Sequence, residues 1–176
     1  MQGNQRVSRT NATYPSNLAL YVRLAVLIAL SAVGAFIKVP SPTGTVALDA
    51  APGFLAAFLF GPTPGAIVAG LGHLVSAATV AFPLGLPLHL LIALQMVVVA
   101  LLIGYTNQRL NTISATIIGI LANGIGAPAT FILIPDLGLP FFVAMVGPLL
   151  VGSTINVVLA CLLYRALATR MFSHGS

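Results

Sequence analysis

The chain of 176 residues carries seven Lys and Arg and two acidic residues, so only 5% of it is charged while 59% is hydrophobic. A soluble domain has about 25% charged residues, and this chain therefore cannot cover a water-soluble surface. Six apolar helices would use most of its length and leave no room for a separate catalytic or nucleotide-binding domain. Composition predicts an all-α integral membrane protein with six transmembrane helices and no nucleic-acid partner.

The positions of the charges predict how these helices are oriented. Cytoplasmic loops of membrane proteins are enriched in Lys and Arg, and six spans place most of the basic residues on one side: Arg6, Arg9, Arg23, Arg109, Arg165 and Arg170. Lys38, Asp49 and Asp136 then fall on the opposite, outer side. We expect a multi-pass protein of a prokaryotic cell membrane, with a cytoplasmic segment 1–17, a membrane domain 18–168 and a cytoplasmic tail 169–176.

Taken in chain order, the apolar stretches end where proline, glycine or charge interrupts them. Span 1 covers residues 18–36 and leads into an irregular first outer loop that contains Pro40, Pro42 and Gly44. Span 2 is apolar over residues 52–60, which is short for a span unless 49–51 are included. A Gly-Pro-Thr-Pro-Gly turn then precedes span 3, which covers 64–80. Spans 4, 5 and 6 cover about 88–105, 113–133 and 141–164.

Span 5 contains Asn-Gly-Ile-Gly-Ala-Pro at residues 123–128, which predicts a kinked or partly unwound helix. Irregular backbone at membrane depth is tolerated only where protein or a water-filled cavity covers it. The break therefore indicates that a site lies beside span 5.

Polar side chains inside the spans are few and costly to place in hydrocarbon without partners. With a rise of about 1.5 Å per residue, His73, Gln95, Asn123 and Ser153 lie at similar depths and can share one layer. The alternative is that such groups only hydrogen-bond between helices, as is common in membrane bundles. For Asp49 three roles are open: capping span 2, pairing with Lys38, or contacting a ligand.

Some kinds of chemistry have no residues to support them in this sequence. There is no P-loop lysine motif for ATP, and neither acidic residue falls inside a span to relay protons. The two histidines of the spans have no carboxylate or cysteine beside them to complete a metal site, so we expect no metal and no cofactor. Any energy for transport must come from partner subunits.

The sequence resembles the substrate-binding S components of energy-coupling-factor (ECF) vitamin transporters over nearly its whole length. The resemblance includes Ala25 and Ala29 in span 1 and is most specific in TVALDAAPGFLAAFLFGP at 45–62, followed by PGAIVAG at 64–70. It implies a high-affinity binding subunit, not an enzyme, that works with a transmembrane coupling subunit and two ATPase subunits. It also implies that Ala25 and Ala29 face the coupling subunit.

The resemblance further implies a ligand pocket closed by the first outer loop and lined by the later helices. Six candidates for the pocket follow from depth and polarity: Asp49, His73, His89, Gln95, Asn123 and Asn156. Phe82 is a seventh, because a flat apolar ring of a ligand can stack near it. GHLVS at 72–76 and FPLGLPLH at 82–89 look most like the branch that takes up α-ribazole, a benzimidazole nucleoside precursor of cobalamin. Pantothenate, a pyrimidine or a cobalamin-related vitamin stays open, as does a small intramembrane enzyme that uses His73 or His89 as a base.

Overall fold

The computed structural model describes the backbone of residues 17–41 and 44–173 and the side chains of 18–38 and 47–168. Arg6, Arg9 and the side chain of Arg170, which entered the orientation argument, lie outside the described residues, as do most of segment 1–17 and the end of tail 169–176. The described chain is a bundle of helices with one small β-hairpin.

Helices occupy the predicted apolar stretches, and proline stands in the first turn of several of them, where its missing N–H costs nothing. The α-helices are α1 (Asn17–Gly34), α2 (Ala51–Phe60), α3 (Pro62–Thr79), α4 (Leu86–Arg109), α5 (Thr112–Leu121), α6 (Ala127–Ala129) and α7 (Gly138–Ser173). A π-helical turn, Ala122–Gly126, and a 3₁₀ turn, Thr130–Leu133, interrupt the fifth stretch on either side of α6. The predicted break in span 5 is confirmed.

The first outer loop is more regular than the sequence predicted. Strands β1 (Lys38–Ser41) and β2 (Gly44–Ala47) pair antiparallel, with Lys38 opposite Ala47. Pro40 suggested an irregular loop, but both strands of a two-stranded sheet are edges, where proline is tolerated because one side needs no hydrogen-bond donor. The β-branched residues of the hairpin favour this extended conformation.

In the part of the chain that the structure describes, three helical segments are long and apolar enough to cross a membrane: Leu86–Arg109, Thr112–Leu133 and Gly138–Ala168. Helix α2 has ten residues and is about 15 Å long, half the thickness of a bilayer core. The chain leading into α2 is not helical, because Leu48 to Ala50 form a bend after the hairpin. The fold is that of an α-helical membrane protein, while six complete crossings and cytoplasmic termini stay predictions.

Helix α2 lies inside the bundle and packs against α1, α3, α4 and α7. Its Phe54 is fully buried. Helices α2 and α3 approach with almost no space between their backbones, since a methyl group added at Gly53 would lie 2.7 Å from the Cα atom of Ala69, and one at Gly65 would overlap Ala57. The stretch that resembles the S-component family most specifically is thus the one where two helices touch.

Contacts between turns and helix ends show which helix ends lie at the same end of the bundle. The turn at Gly61 lies against Gln108 at the end of α4, and the ring of Phe58 stacks on Tyr164 of α7 with centroids 5.6 Å apart. The ends of α2, α4 and α7 therefore share one end of the bundle. Arg109, next to Gln108 in the chain, is at that end, whereas the orientation of the bundle in the membrane stays a prediction.

Candidate ligand cavity

A cavity of about 290 Å³ lies towards the other end of the bundle. Its wall comes from the bend after the hairpin, from α3, α4, the broken fifth stretch and α7. Five of the seven predicted pocket residues line it: Asp49, His73, Gln95, Asn123 and Asn156. Phe82 and His89 do not line it.

Asp49 is held at the cavity by a contact between its backbone segment and the end of α1. The Leu48 N–H donates to the Gly34 carbonyl oxygen at 3.1 Å. A methyl group at Gly34 would come within 2.5 Å of the Leu48 carbonyl oxygen, so only glycine permits this approach. The side chain is fixed by Ser76 of α3, whose hydroxyl donates to Asp49 Oδ2 at 2.7 Å.

This arrangement argues against two of the three roles open for Asp49, capping and pairing with Lys38. The N-cap residue of α2 is Ala50, without a side-chain capping bond, so Asp49 is not the cap. Among the described residues, the hydrogen-bond partner of its carboxylate is Ser76, and Lys38 is exposed on β1. The half-buried carboxylate lies at the cavity wall, and its contact with a ligand stays a prediction.

His89 lies behind His73 and stabilises it from outside the cavity. The Leu84 N–H donates to His89 Nε2 at 3.4 Å, and His89 Nδ1 lies 3.2 Å from His73 Nε2. Since a backbone N–H can only donate, the pattern assigns the His89 proton to Nδ1, which then donates to His73. Phe82 packs edge-on against His89 with ring centroids 5.6 Å apart. Both residues form a second layer instead of the predicted pocket wall.

Asn156 lines the cavity, but its side-chain amide is already hydrogen-bonded to the protein backbone. It accepts from the Ala51 N–H at 2.8 Å and donates to the Ala47 and Gly152 carbonyl oxygens at 2.9 and 3.0 Å. Asn156 thereby joins β2 and the start of α2 to α7. Its two donors are fully used, so it shapes the cavity more than it offers polar groups to it.

Asn123 retains free hydrogen-bonding capacity. It belongs to the π-helical turn, where the wider helix and Pro128 break the regular ladder. Its amide donates to Ser153 Oγ at 2.8 Å, and its Oδ1 has no partner among the described residues. The layer predicted from depth therefore joins Asn123 and Ser153 directly.

Gln95 lies between the cavity and a second concavity on the outside of the bundle. Its Nε2 donates to Thr130 Oγ1 at 2.6 Å, which links α4 to the broken stretch. A groove of about 350 Å³ with an almost wholly apolar wall, including the exposed Leu94 and Val98, lies on the other side of this pair. The Gln95–Thr130 hydrogen bond thus forms part of the wall between cavity and groove.

The apolar side of the cavity was not predicted. Phe131 and Phe141 line it and pack edge to face with centroids 5.1 Å apart, and Met145 and Pro148 of α7 continue the wall. Nothing in the periodicity of α7 distinguishes these residues from lipid-facing ones. The available signal was that Phe131 and Phe141 flank the third outer loop, 134–140, at the predicted depth of the mouth.

Ala25 and Ala29 are exposed on α1, on a face that also carries the exposed Val22, Val26 and Val33. The opposite face is buried and includes Leu24 and Leu27. The small side chains form a shallow strip where another helix can approach closely. Within the described residues no group of three or more metal-ligating side chains occurs.

The helical bundle, the half-length α2, the β-hairpin and the cavity together define an α-helical membrane protein with a cavity of small-molecule size. The family model described as "ECF transporter, substrate-specific component" matches residues 20–169, and the chain belongs to this family. Its fold is similar to that in "Structure and mechanism of the S component of a bacterial ECF transporter", with a TM-score of 0.65 and 20% identity over 88% of this chain and 98% of that one. A comparison with curated proteins gives no match.

Family membership gives the general function. ECF S components are substrate-binding subunits of transporters, not enzymes, and they pair with a transmembrane coupling subunit and ATPase subunits in a membrane complex. The alternative of an intramembrane enzyme that uses His73 or His89 is therefore set aside.

Proposed function

We propose that this chain is the high-affinity binding subunit of an ATP-driven importer for a vitamin precursor, with α-ribazole as the best candidate ligand. The observation that carries the proposal is the cavity, which has polar groups on one side and two phenylalanines on the other. A benzimidazole ring can pack on Phe131 and Phe141 while ribose hydroxyls bond to polar side chains. We place the protein in a prokaryotic cell membrane with the cavity towards the outside.

The size of the cavity restricts the alternatives. Ligand pockets commonly measure about 300–1,000 Å³, and this one is at the lower end. A nucleoside, a pyrimidine or pantothenate matches this size, whereas a complete corrinoid is several times larger. The substrate set is therefore small vitamins and precursors, with Asp49, His73, Gln95 and Asn123 as the proposed polar contacts.

Binding without ATP tests the proposal. The purified chain, alone in lipid nanodiscs, is expected to bind α-ribazole without ATP or partner subunits, as measured by isothermal titration calorimetry. Native mass spectrometry of the freshly purified protein is expected to show a bound small molecule of nucleoside size. A requirement for ATP and the coupling module would contradict a binding-subunit function; ATP-independent binding of a different vitamin would correct only the ligand.

Asn123→Leu is expected to weaken the binding of α-ribazole at least fivefold, since losing one hydrogen bond costs about 1 kcal/mol. Asn107→Leu is the matched control, because Asn107 is on α4 near the opposite end of the bundle, where it donates to the Phe58 carbonyl oxygen at 3.5 Å. Calorimetry on both variants, after gel filtration to verify folding, compares the two. Equal affinities would remove Asn123 from the contact set.

A further inference from the structure

Among the residues that the structure describes, the cavity wall contains one formally charged side chain, and that charge is negative. Asp49 is that side chain, whereas none of the described basic side chains, Arg23, Lys38, Arg109 and Arg165, lines the cavity. Arg109 and Arg165 directly follow Gln108 and Tyr164 in the chain, the residues that mark the far end of the bundle. Lys38 is exposed on the hairpin.

The carboxylate of Asp49 has capacity left for a ligand. Ser76 donates to Oδ2, and Oδ1 accepts no hydrogen bond from the described residues. An ionised carboxylate is only an acceptor, so the complementary ligand group is a hydroxyl, an amino group or a cation. A ligand carboxylate at the same place would meet a like charge in a partly buried site, where repulsion is weakly screened.

The histidines do not supply a compensating positive charge in this arrangement. Because the Leu84 N–H donates to His89 Nε2 and His89 Nδ1 donates to His73 Nε2, each ring accepts one hydrogen bond and is neutral. His73 retains its Nδ1–H as a donor. The other polar groups of the wall with free capacity, on Gln95, Asn123 and Ser153, are neutral amides and a hydroxyl.

We infer that the cavity selects uncharged or cationic ligands whose hydroxyl or amino groups donate to Asp49, and that it rejects vitamins bearing a carboxylate. The inference rests on the proposed binding function and narrows its substrate class. It favours a nucleoside such as α-ribazole, whose ribose hydroxyls donate to a carboxylate. It disfavours pantothenate, which has the size the cavity accepts but the wrong charge.

The test compares ligands by charge on the intact chain in nanodiscs. Calorimetry is run with α-ribazole as the neutral probe, thiamine as the cationic probe, and pantothenate and biotin as the carboxylate probes. We expect binding by a neutral or cationic probe and at least a hundredfold weaker binding of both carboxylates. A carboxylate probe that binds more tightly than the neutral and cationic ones overturns the charge selection and leaves the binding function intact.

Two matched variants test whether Asp49 is the side chain that causes the selection of ligands by charge. Asp49→Asn is expected to weaken the binding of α-ribazole roughly tenfold or more, the typical effect of losing a hydrogen bond to a charged group. Asp136→Asn removes the other acid of the chain, which is exposed and outside the cavity wall, and is expected to change nothing. Equal affinities of the two variants overturn the role of Asp49. Failure of every probe to bind, with no molecule retained on purification, overturns the proposed function as well.

Discussion

Replacing Ala29 by arginine is expected to abolish transport while leaving ligand affinity unchanged. Ala29 is exposed on α1, away from the cavity, among small and β-branched side chains where the coupling subunit is proposed to pack. An arginine there prevents close approach of a second helix and places a charge in an apolar interface, at a cost of about 2.5–3.5 kcal/mol on insertion scales. Uptake in cells that contain the whole complex, and calorimetry on the isolated chain, measure the two effects.

Leu162→Arg is the control for this prediction. Leu162 is on α7 and its side chain is 59% exposed. An arginine at this position places the same charge on a different outward face of the bundle. We expect it to retain assembly with the coupling subunit, measured by co-purification, whereas Ala29→Arg loses it. If both variants lose assembly equally, the charge acts through membrane insertion and α1 has no special role. Loss of ligand binding in Ala29→Arg would place Ala29 in the structural core.

Replacing Gly65 by alanine is expected to lower the stability of the protein by about 1–3 kcal/mol, the usual range for overpacking. The added methyl group would overlap Ala57 of α2, and its nearest atoms include the Ala57 backbone. Backbone atoms cannot move without shifting the whole helix, so the neighbour cannot make room by changing a rotamer. Thermal unfolding in nanodiscs is expected to show a melting temperature lower by several degrees.

Gly126→Ala provides the contrast. An added methyl group at Gly126 meets no atom closer than the Leu121 carbonyl oxygen at 3.9 Å. Alanine is favoured over glycine in helices by about 1 kcal/mol, so this variant is expected to be neutral or more stable. A Gly65→Ala protein as stable as Gly126→Ala would show that α2 and α3 are not in close contact.

Helix α1 contributes both to the proposed contact with the coupling subunit and to the Asp49 side of the cavity. Its outward face carries Ala25 and Ala29, and its end at Gly34 holds the segment that contains Asp49. Along its length, Ser31 packs against Gly72, the residue before His73. Helix α1 therefore contacts the Asp49 side of the cavity while it exposes Ala25 and Ala29 on its outward face.

Several residues of the cavity wall could be predicted from the sequence because polar residues in an apolar helix are rare. That rarity identified His73, Gln95 and Asn123, all of which line the cavity. It could not separate residues that face a ligand from residues that hold other residues in place. His89 is as polar as His73, yet it does not line the cavity and hydrogen-bonds to His73 from behind.

The sequence by itself determined the membrane location, the helical class, the break in the fifth stretch and the S-component resemblance. These follow from hydropathy and from proline and glycine, which act locally. Only the tertiary structure decided that Phe131 and Phe141 line the cavity, that Asn156 is committed to the backbone of Ala47 and Ala51, and that Asp49 bonds to Ser76. In a chain whose helices are apolar on every side, periodicity does not indicate which face meets lipid and which meets a neighbour, and packing makes that choice.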